Sequence, residues 1–403
     1  MIFPGFNRRQ FLNCCVGLAG LTLSRVCGAQ LTPRSNLKAV VVGHTGHGDY
    51  GHEHDLIFRG HDDIELVAVA DPDAAGLTKA VARLNAPRGY ADYQEMFQKE
   101  SPQLASIALR CSDEHHTMAM AALKAGAHVY MEKPITQTLA EADELLAFAK
   151  KRSLKIAIPH QMRLAPNILL LKQRLDEGLI GDLLEIRSHG KQDRRAGGED
   201  LVVLGIHLFD LMRFFAGEPR WCSASILQNG HEITPRDAHS ASESIGPIIG
   251  DDIVAQFEFA RGVHGGFVSR AQNQSAAGPW GLELIGTKSS VRILTGMVPR
   301  IYTRNNLDWT KNGNVTEWKE WEQDPTRQLP ASERTVARAN QRVVNDWLAA
   351  IRQDREPICN GLAATKALEM VMAVWAAGLT RGRIEFPLQN REHPLASPKQ
   401  RSR

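Results

Sequence analysis

The sequence is poor in cysteine. It has six cysteines in 403 residues, and three of them, Cys14, Cys15 and Cys27, stand within the first 29 positions. The other three, at positions 111, 222 and 359, are too widely spaced for a disulfide framework or a zinc-type ligand set. We therefore expect these three to be buried apolar thiols.

An excess of charge is also lacking. The chain has 48 basic and 45 acidic residues, which gives a formal charge of +3. Three arginines and no acidic residue fall in positions 1–29, so the remaining chain is neutral. Nucleic acid binding requires a basic surface, so no nucleic acid partner is expected. No polybasic segment offers itself to a membrane surface either.

The first thirty residues lack a hydrophobic run that would span a bilayer comfortably, because the uncharged stretch ends at Leu23. Arg8-Arg9 precede this stretch and Cys27-Gly28-Ala29 follow it, which is the order of a signal peptide. The paired arginines favour a twin-arginine signal over residues 1–29. We expect export to the periplasm, with no stable membrane span after cleavage. The alternative is a cytosolic protein with a chance amphipathic start.

The rest of the composition is that of a folded protein. Apolar residues make up 43% and charged residues 23% of the chain, which is ordinary for a globular protein. A chain of 403 residues is long for one core and predicts two domains.

Strands and helices alternate in the first half of the chain. Short apolar runs predict strands at 37–43, 64–70, 104–109, 128–131 and 155–158. Helices are predicted between them at 74–84, 113–125 and 139–151. This alternation is typical of a parallel sheet. The prediction is an α/β fold whose Rossmann domain covers residues 36–159.

The pattern changes after residue 160. Ile253, Ala255, Phe257 and Phe259 alternate with more polar residues, and further strands are predicted at 183–189, 220–228, 263–270 and 282–285. Successive strands predict an α+β domain with a large, mostly antiparallel open sheet over 160–390. Helices are expected at 165–177 and 207–216, and two more close this domain. Residues 391–403 are expected to be a loose tail.

A glycine-rich turn follows the first predicted strand. Gly46, Gly48 and Gly51 match G-x-G-x-x-G and are expected to open a helix whose N-terminus faces a pyrophosphate. Asp71 ends the second strand and suits the ribose hydroxyls of NAD better than the 2′-phosphate of NADP. Two alternatives remain. Asp71 caps the next helix, or the motif starts at Gly43 and places Thr45 where its second glycine belongs.

Three further segments carry a resemblance to a known family. They are Glu132-Lys133-Pro134 after the fourth strand, Gly197-Gly198 with Gly205–Asp210, and the C-terminal segments 346–351 and 367–370. Together with the glycine turn they resemble the Gfo/Idh/MocA family of glucose–fructose oxidoreductase and inositol dehydrogenase. The resemblance covers about residues 36–390. It implies nicotinamide chemistry on sugars, polyols or related molecules, and assembly into dimers or tetramers.

The resemblance also implies roles for single residues. Lys133 and His207 correspond to the family's lysine and histidine beside the nicotinamide, Glu132 belongs to the same motif, and His116 is placed near the cofactor. A partly desolvated lysine beside a positive ring has a lowered pKa and can relay a proton. His207 is the candidate general base or substrate-orienting group.

One position departs from the family pattern. Many members have an aspartate four residues before this histidine, where Val203 stands here. Either Asp200 takes over its role, or the chemistry is not ordinary alcohol dehydrogenation. We therefore place Asp200 among the catalytic candidates.

The remaining site predictions concern the substrate and the histidines. Arg163, His160 and Asp210 are candidate substrate residues. Histidines cluster at positions 44, 47, 52 and 54, but their spacing matches no established zinc motif. Phosphate or local turn contacts are favoured for them, and no metal site is predicted.

Three functions remain open at this stage. The leading one is an NAD-dependent sugar or polyol oxidoreductase, and the second is a redox-neutral enzyme that cleaves or eliminates with recycled, tightly bound NAD. Export favours such a closed cycle, because the periplasm holds no useful pool of free nicotinamide nucleotide. The third is a sugar- or cofactor-binding protein without catalysis.

Overall fold

The computed structural model describes residues 36–271, 280–305 and 317–396. The predicted signal peptide, residues 1–29, lies outside the described residues, and so does the end of the predicted tail, residues 397–403.

The N-terminal part is built on a parallel sheet of six strands. In chain order they are β1 (Leu37–Val42), β2 (Ile64–Ala70), β3 (Gly89–Tyr90), β4 (Leu104–Ile107), β5 (His128–Met131) and β6 (Ile156–Ala157). Their spatial order is β3-β2-β1-β4-β5-β6, so the chain reverses direction across the sheet between β1 and β4. This arrangement confirms the Rossmann prediction.

Four helices accompany this sheet: α1 (Ala74–Leu84), α2 (Tyr93–Glu100), α3 (His115–Lys124) and α4 (Leu139–Lys151). Side-chain caps begin three of them, α1, α2 and α4. The Asp73 carboxylate accepts a hydrogen bond from the Gly76 amide at the start of α1. Thr138 and Glu141 form a reciprocal capping box at the start of α4.

The first crossover, from β1 to β2, differs from the prediction. The glycine motif does not open an α-helix; residues 43–63 form turns and a single 3₁₀ turn at His54–Leu56. Gly46, Gly48, Asp49 and Gly51 all have positive φ angles between 51° and 83°. Left-handed residues cannot continue a right-handed helix, so the expected helix N-terminus is not formed there.

The C-terminal part is built on a second, larger sheet. Ten strands of the described chain belong to it: β7 (Leu183–His189), β8 (Pro219–Gln228), β9 (His231–Glu232), β12 (Asp252–Phe259), β13 (His264–Arg270), β14 (Gly281–Gly286), β15 (Ser289–Leu294), β16 (Arg300–Asn305), β17 (Lys319–Glu320) and β18 (Ile384–Glu385). The short pair β10 (His239–Ser240) and β11 (Pro247–Ile248) stands apart. Only β7 and β13 pair in parallel among the described strands of the large sheet. The mostly antiparallel sheet is therefore as predicted.

Among its described residues, this half of the sequence has four α-helices of more than one turn: α5 (Pro166–Asp176), α6 (Ile206–Ala216), α7 (Val336–Gln353) and α8 (Gly361–Thr380). The chain reaches α6 through a π-helical turn at Leu201–Gly205. Helix α8 is long and apolar enough to cross a membrane by composition, but most of it is buried inside the protein. It serves here as a core helix.

Helix α7 packs on the other sheet. Val343, Val344, Trp347 and Leu348 share a buried cluster with apolar residues of β1, β2, β4 and β5. The sequence predicted that this helix closes the second domain. It instead covers a face of the parallel sheet to which the first crossover contributes no α-helix, because that face leaves apolar side chains to be buried.

The chain end is anchored as far as residue 396. Arg391 forms ion pairs with Asp143 and Glu369 at 2.6 Å, and the side chains of His393 and Leu395 are buried. The predicted loose tail is therefore wrong for residues 391–396.

Candidate functional site

The Glu132-Lys133-Pro134 segment follows β5 and is buried at its first two residues. The Lys133 amide donates to Glu132 Oε1 at 3.0 Å, and His52 Nδ1 lies 2.8 Å from Glu132 Oε2. A carboxylate accepts hydrogen bonds, so His52 carries its proton on Nδ1. The buried His54 ring lies behind, with Nδ1 at 3.4 Å from the same oxygen.

Charge in this segment is concentrated on Glu132. Burial alone would raise the pKa of Glu132, but His54, His52 and Lys133 hold this pKa well below its usual value. Burial lowers the pKa of His54 to about 4, so His54 is neutral at neutral pH. The ionised Glu132 therefore rests on the His52 N–H and the Lys133 charge.

His207 is the second residue of α6, directly after the π-helical turn that ends at Gly205. Its ring centroid is 5.2 Å from that of His160 and 6.2 Å from that of Trp280. Burial, with the neighbouring His160 and Lys133, lowers the pKa of His207 well below its usual value. His207 is thus a neutral imidazole at neutral pH, and such a group can accept a proton.

His160, a predicted substrate residue, lies beside His207, and its environment is unusual. The ring is buried, and neither nitrogen has a hydrogen-bond partner among the described residues. Burial lowers the pKa of His160 as well. A buried polar group without a partner is costly, so these nitrogens are available to a bound molecule.

Arg163 and Asp210, the other predicted substrate residues, are bonded to each other. Arg163 Nε donates to Asp210 Oδ2 at 2.6 Å, and a second guanidinium nitrogen donates to the Asp210 carbonyl at 3.2 Å. This buried pair ties α6 to the segment that carries His160. The pair therefore positions the two histidines.

Asp200 lies elsewhere than predicted. Its carboxylate accepts hydrogen bonds from Ser269 Oγ at 2.6 Å and from the amides of Lys191 and Gln192 at 3.2 and 3.1 Å. No described hydrogen bond joins it to His207. Asp200 fastens the end of β7 to β13 and does not replace the aspartate missing at Val203 as a partner of the histidine.

His116 also lies elsewhere than predicted. It pairs with Glu144 at 2.9 Å, between α3 and α4, away from the end of β5. The neighbouring His115 is the buried one, with ring nitrogens 2.7 and 2.9 Å from the carbonyl oxygens of Pro134 and Leu109. The adjacent histidines differ because His115 faces the sheet and His116 the outer side of α3.

Asp71 stands at the end of β2, as predicted, and is completely buried. Its carboxylate accepts hydrogen bonds from Thr45 Oγ1 at 2.6 Å, from the Tyr50 hydroxyl at 2.8 Å and from the Asp73 amide at 2.9 Å. The Thr45 amide lies 3.1 Å from Oδ1. Helix α1 is capped by Asp73, so the alternative role of Asp71 as that cap is wrong.

The glycine loop is fastened across the top of the sheet. His44 Nδ1 lies 2.6 Å from Glu114, His47 Nε2 lies 2.9 Å from Asp113, and the Arg110 amide donates to the Gly48 carbonyl. These contacts join the loops after β1 and β4. The His47, Cys111 and Asp113 donor atoms lie within 4.8 Å of one another. The described side-chain contacts of His44 and His47 reach residues 70 and 66 positions later in the chain, so they are not the local turn contacts that the sequence favoured.

The residues fit the nicotinamide end of NAD better than its adenosine end. Lys133, His207 and the unpartnered His160 present polar groups at a buried surface, which fits a nicotinamide with its substrate. At the other end, the acceptor for the adenosine ribose is Asp71, and four donors of the protein already occupy it. The residues fit NAD in kind, provided that Asp71 exchanges its partners.

Four residues of the site were not predicted as such: Thr45, Tyr50, His52 and His54. His52 and His54 were noted only as members of a histidine cluster. The contact between His52 and Glu132 joins residues 80 positions apart in the chain, and no local sequence pattern predicts such a pair. Thr45 carried a signal, because it occupies a glycine position in the frame that begins at Gly43.

A parallel dinucleotide-type sheet, an open mixed sheet and a buried lysine with two neutral histidines define a two-part α/β oxidoreductase. Family comparison agrees. Residues 37–160 match the oxidoreductase family with an NAD-binding Rossmann fold, and residues 172–386 match the C-terminal α/β domain of the same family. The chain belongs to the Gfo/Idh/MocA oxidoreductase family.

Individual relatives are distant. The chain is 23% identical to D-apiose dehydrogenase of Paraburkholderia graminis over 93% of this chain and 96% of that protein. It is 28% identical to dehydrogenase AclE of Aspergillus oryzae over 39% of this chain, which spans 46% of that protein's length. The structure of levoglucosan dehydrogenase with NADH and levoglucosan superposes with a TM-score of 0.69 at 18% identity, covering 87% of this chain and all of that one.

Proposed function

We propose that the protein oxidises a secondary hydroxyl of a sugar, polyol or sugar derivative, with His207 accepting the hydroxyl proton. The main observation that supports this proposal is that His207 is a buried neutral imidazole beside Lys133 and His160. The sugar-directed names of the D-apiose and levoglucosan relatives support the substrate class.

The chain's own residues have distinct tasks in this reaction. Bound NAD would supply the hydride acceptor. The substrate hydroxyl gives its proton to a ring nitrogen of His207. The hydrogen on the same carbon leaves as a hydride, with the electron pair of its bond, and the carbonyl forms. The charge of Lys133 stabilises the developing alkoxide, and the free nitrogens of His160 orient a neighbouring hydroxyl.

A spectrophotometric assay tests this proposal. The protein is incubated with NAD and, in turn, levoglucosan, D-apiose and myo-inositol, and NADH formation is followed. His207→Asn should lower kcat by a factor of about 10²–10⁴, the usual contribution of a general base. Because the pKa of His207 is lowered, wild-type activity should stay level as the pH falls from 8 to 6.5. A loss of activity in that range, or an active His207→Asn variant, would contradict the assignment.

A redox-neutral reaction is the second candidate. Its supporting observation is that no carboxylate of the described residues is hydrogen bonded to His207, while Val203 takes the place of the family's aspartate. In such a reaction the oxidised carbon acidifies the neighbouring C–H, elimination or glycoside cleavage follows, and the product is reduced again. Product formed without accumulated NADH supports this reaction; stoichiometric NADH supports net oxidation.

We also propose export by the twin-arginine route and assembly into a homo-oligomer. The support is Arg8-Arg9 with the apolar stretch behind it, and the resemblance to oligomeric family members. Fractionation of cells that express the full chain, with an Arg8→Lys/Arg9→Lys variant as the control, tests export. Light scattering of the purified protein tests assembly, and a monomer mass would reject it.

A further inference from the structure

Two protein hydroxyls occupy the carboxylate that a bound adenosine ribose would need. Thr45 Oγ1 and the Tyr50 hydroxyl both donate to Asp71 Oδ2, at 2.6 and 2.8 Å. The Asp71 side chain is inaccessible to solvent. A ribose presents two adjacent hydroxyls to such a carboxylate, so the protein supplies the same kind of donors from its own loop.

Two glycines make room for this arrangement. A Cβ atom at Gly43 would lie 2.2 Å from the Tyr50 ring, and a Cβ atom at Gly76 would lie 2.1 Å from Thr45 Oγ1. Neither glycine has the positive φ that would explain it by backbone conformation. Close approach of Tyr50 and Thr45 to Asp71 is therefore the reason that these positions tolerate no side chain.

Tyr50 is held in place from its outer side as well. The Arg83 guanidinium lies 4.6 Å from the centre of the Tyr50 ring, and Arg83 pairs with Asp55 at 2.6 Å. The hydroxyl bond to Asp71 thus belongs to a packed unit. The unit comprises Gly43, Thr45, Tyr50, Asp71, Gly76 and Arg83, and we call it the Asp71 clamp.

We propose that the Asp71 clamp is an internal competitor of the adenosine ribose, so that the Thr45 and Tyr50 hydroxyls set the affinity for the adenosine half of NAD. Binding of that half requires both hydroxyls to give up Asp71. Lys133 and His207, which would hold the nicotinamide half, are not part of the clamp. This inference rests on the proposed NAD dependence but concerns binding and not turnover.

Calorimetric titration with ADP-ribose tests the clamp without any catalytic step. Tyr50→Phe keeps the ring against Gly43 and Arg83 and removes only the competing hydroxyl. It should tighten ADP-ribose binding about tenfold, because a hydrogen bond to a charged acceptor no longer has to be broken. Binding of nicotinamide mononucleotide should stay unchanged.

Tyr90→Phe is the matched control. Tyr90 lies in β3 of the same sheet, and its hydroxyl also donates to a buried carboxylate, that of Glu100 in α2. Its removal should leave ADP-ribose binding as in the wild type. Thr45→Val is a second variant, which removes the other hydroxyl donor and should also tighten binding.

The outcomes separate the clamp from the proposed function. If the wild type binds ADP-ribose and both clamp variants bind it equally or more weakly, the clamp is rejected and NAD dependence stands. If neither the wild type nor the variants bind ADP-ribose or nicotinamide mononucleotide, NAD dependence is rejected and the clamp with it.

Discussion

Buried carboxylates organise this protein residue by residue. Glu132 accepts from His52, Asp71 from Thr45 and Tyr50, and Asp200 from Ser269 and two loop amides. Each carboxylate joins a strand end to a loop that local sequence does not place there. Because an unsatisfied buried carboxylate is costly, each of these contacts also restricts the loop that provides it.

Asp200 is the residue whose role changes most between sequence and structure. Asp200→Asn would place an amide N–H₂ among three converging donors, so we expect the free energy of unfolding to fall by about 1–3 kcal/mol. The pH dependence of kcat/KM should be unchanged, since Asp200 does not contact His207. Denaturant unfolding and pH–rate profiles check both parts, with His207→Asn as the variant of opposite behaviour. An altered pH profile in a stable Asp200→Asn protein would restore Asp200 to the catalytic group.

Residue identities were predictable where a motif named them and where the partner lay nearby in the chain. Lys133 and His207 came from motifs, and the structure brings both to one buried site. Asp200 was chosen because it lies close to Val203 in the sequence, and His116 was chosen from the resemblance to the family. The burial of one helix face decided against His116, and the bonds to Ser269 decided against Asp200. Neither cause is visible in a single sequence.

Among the elements, the glycine loop shows how backbone conformation overrides a motif. Gly46 and Gly48 have nearly the same positive φ, 82° and 83°. A Cβ atom at Gly46 would meet nothing within 4 Å, whereas one at Gly48 would lie 2.6 Å from the amide nitrogens of Arg110 and Cys111. Of these two glycines, Gly48 is therefore the one needed for the close approach of the loops after β1 and β4.

This contrast predicts unequal costs for the same substitution. Gly46→Ala should cost about 1–2 kcal/mol of unfolding free energy, the penalty of a left-handed alanine. Gly48→Ala should cost a further 1–3 kcal/mol or so, because backbone atoms must move apart. Urea denaturation of the two variants measures the difference. Equal costs would show that the loops do not meet at Gly48.

Helix α7 offers a second test at the level of elements. Trp347 is completely buried against the parallel sheet, near Tyr130, and its Nε1 donates to the Lys155 carbonyl at 3.4 Å. Trp347→Ala should lower the free energy of unfolding by about 3–5 kcal/mol. Leu362→Ala, at an exposed position of α8, is the control and should change it by about 0.5 kcal/mol or less. A small effect of Trp347→Ala would remove α7 from the core of the nucleotide-binding sheet.

The sequence predicted most elements because their apolar periods are local properties. Strand β2 and helices α1 and α4 have the predicted bounds, and β7 does too. The prediction of a helix after β1 was wrong because the glycine motif carries no information about the φ angles of its residues. The predicted place of α7 was wrong because the sequence of an amphipathic helix shows that one face is buried, but not against which sheet.

At the level of the whole molecule, buried neutral histidines determine the response to acid. Burial lowers the pKa of His54 and of His393 to about 4, whereas the unfolded chain titrates near 6.5. Between these values the unfolded state binds more protons, so folding stability falls as the pH falls. Protonation of Glu132, whose folded pKa is also lowered, acts in the same direction.

We therefore expect full stability above about pH 6.5 and a loss of about 3 kcal/mol for each of these two histidines as the pH falls from 6.5 towards 4. Denaturation series at pH 7, 6 and 5 measure the slope. His393→Gln should reduce it, because the buried neutral imidazole is then absent. A pH-independent unfolding free energy in the wild type would contradict the buried neutral state.

Helix α7 also determines the order in which the parts of the protein can be completed during synthesis. Asn340 and Gln341 of α7 hydrogen bond to the carbonyl oxygens of His52 and Ile57 in the first crossover, almost three hundred positions earlier in the chain. While the ribosome is still making the second sheet, this face of the nucleotide-binding sheet lacks the apolar side chains of α7 that cover part of it. The first domain to be synthesised is therefore among the last to be finished, and a nascent chain arrested before residue 336 would need a chaperone on that face.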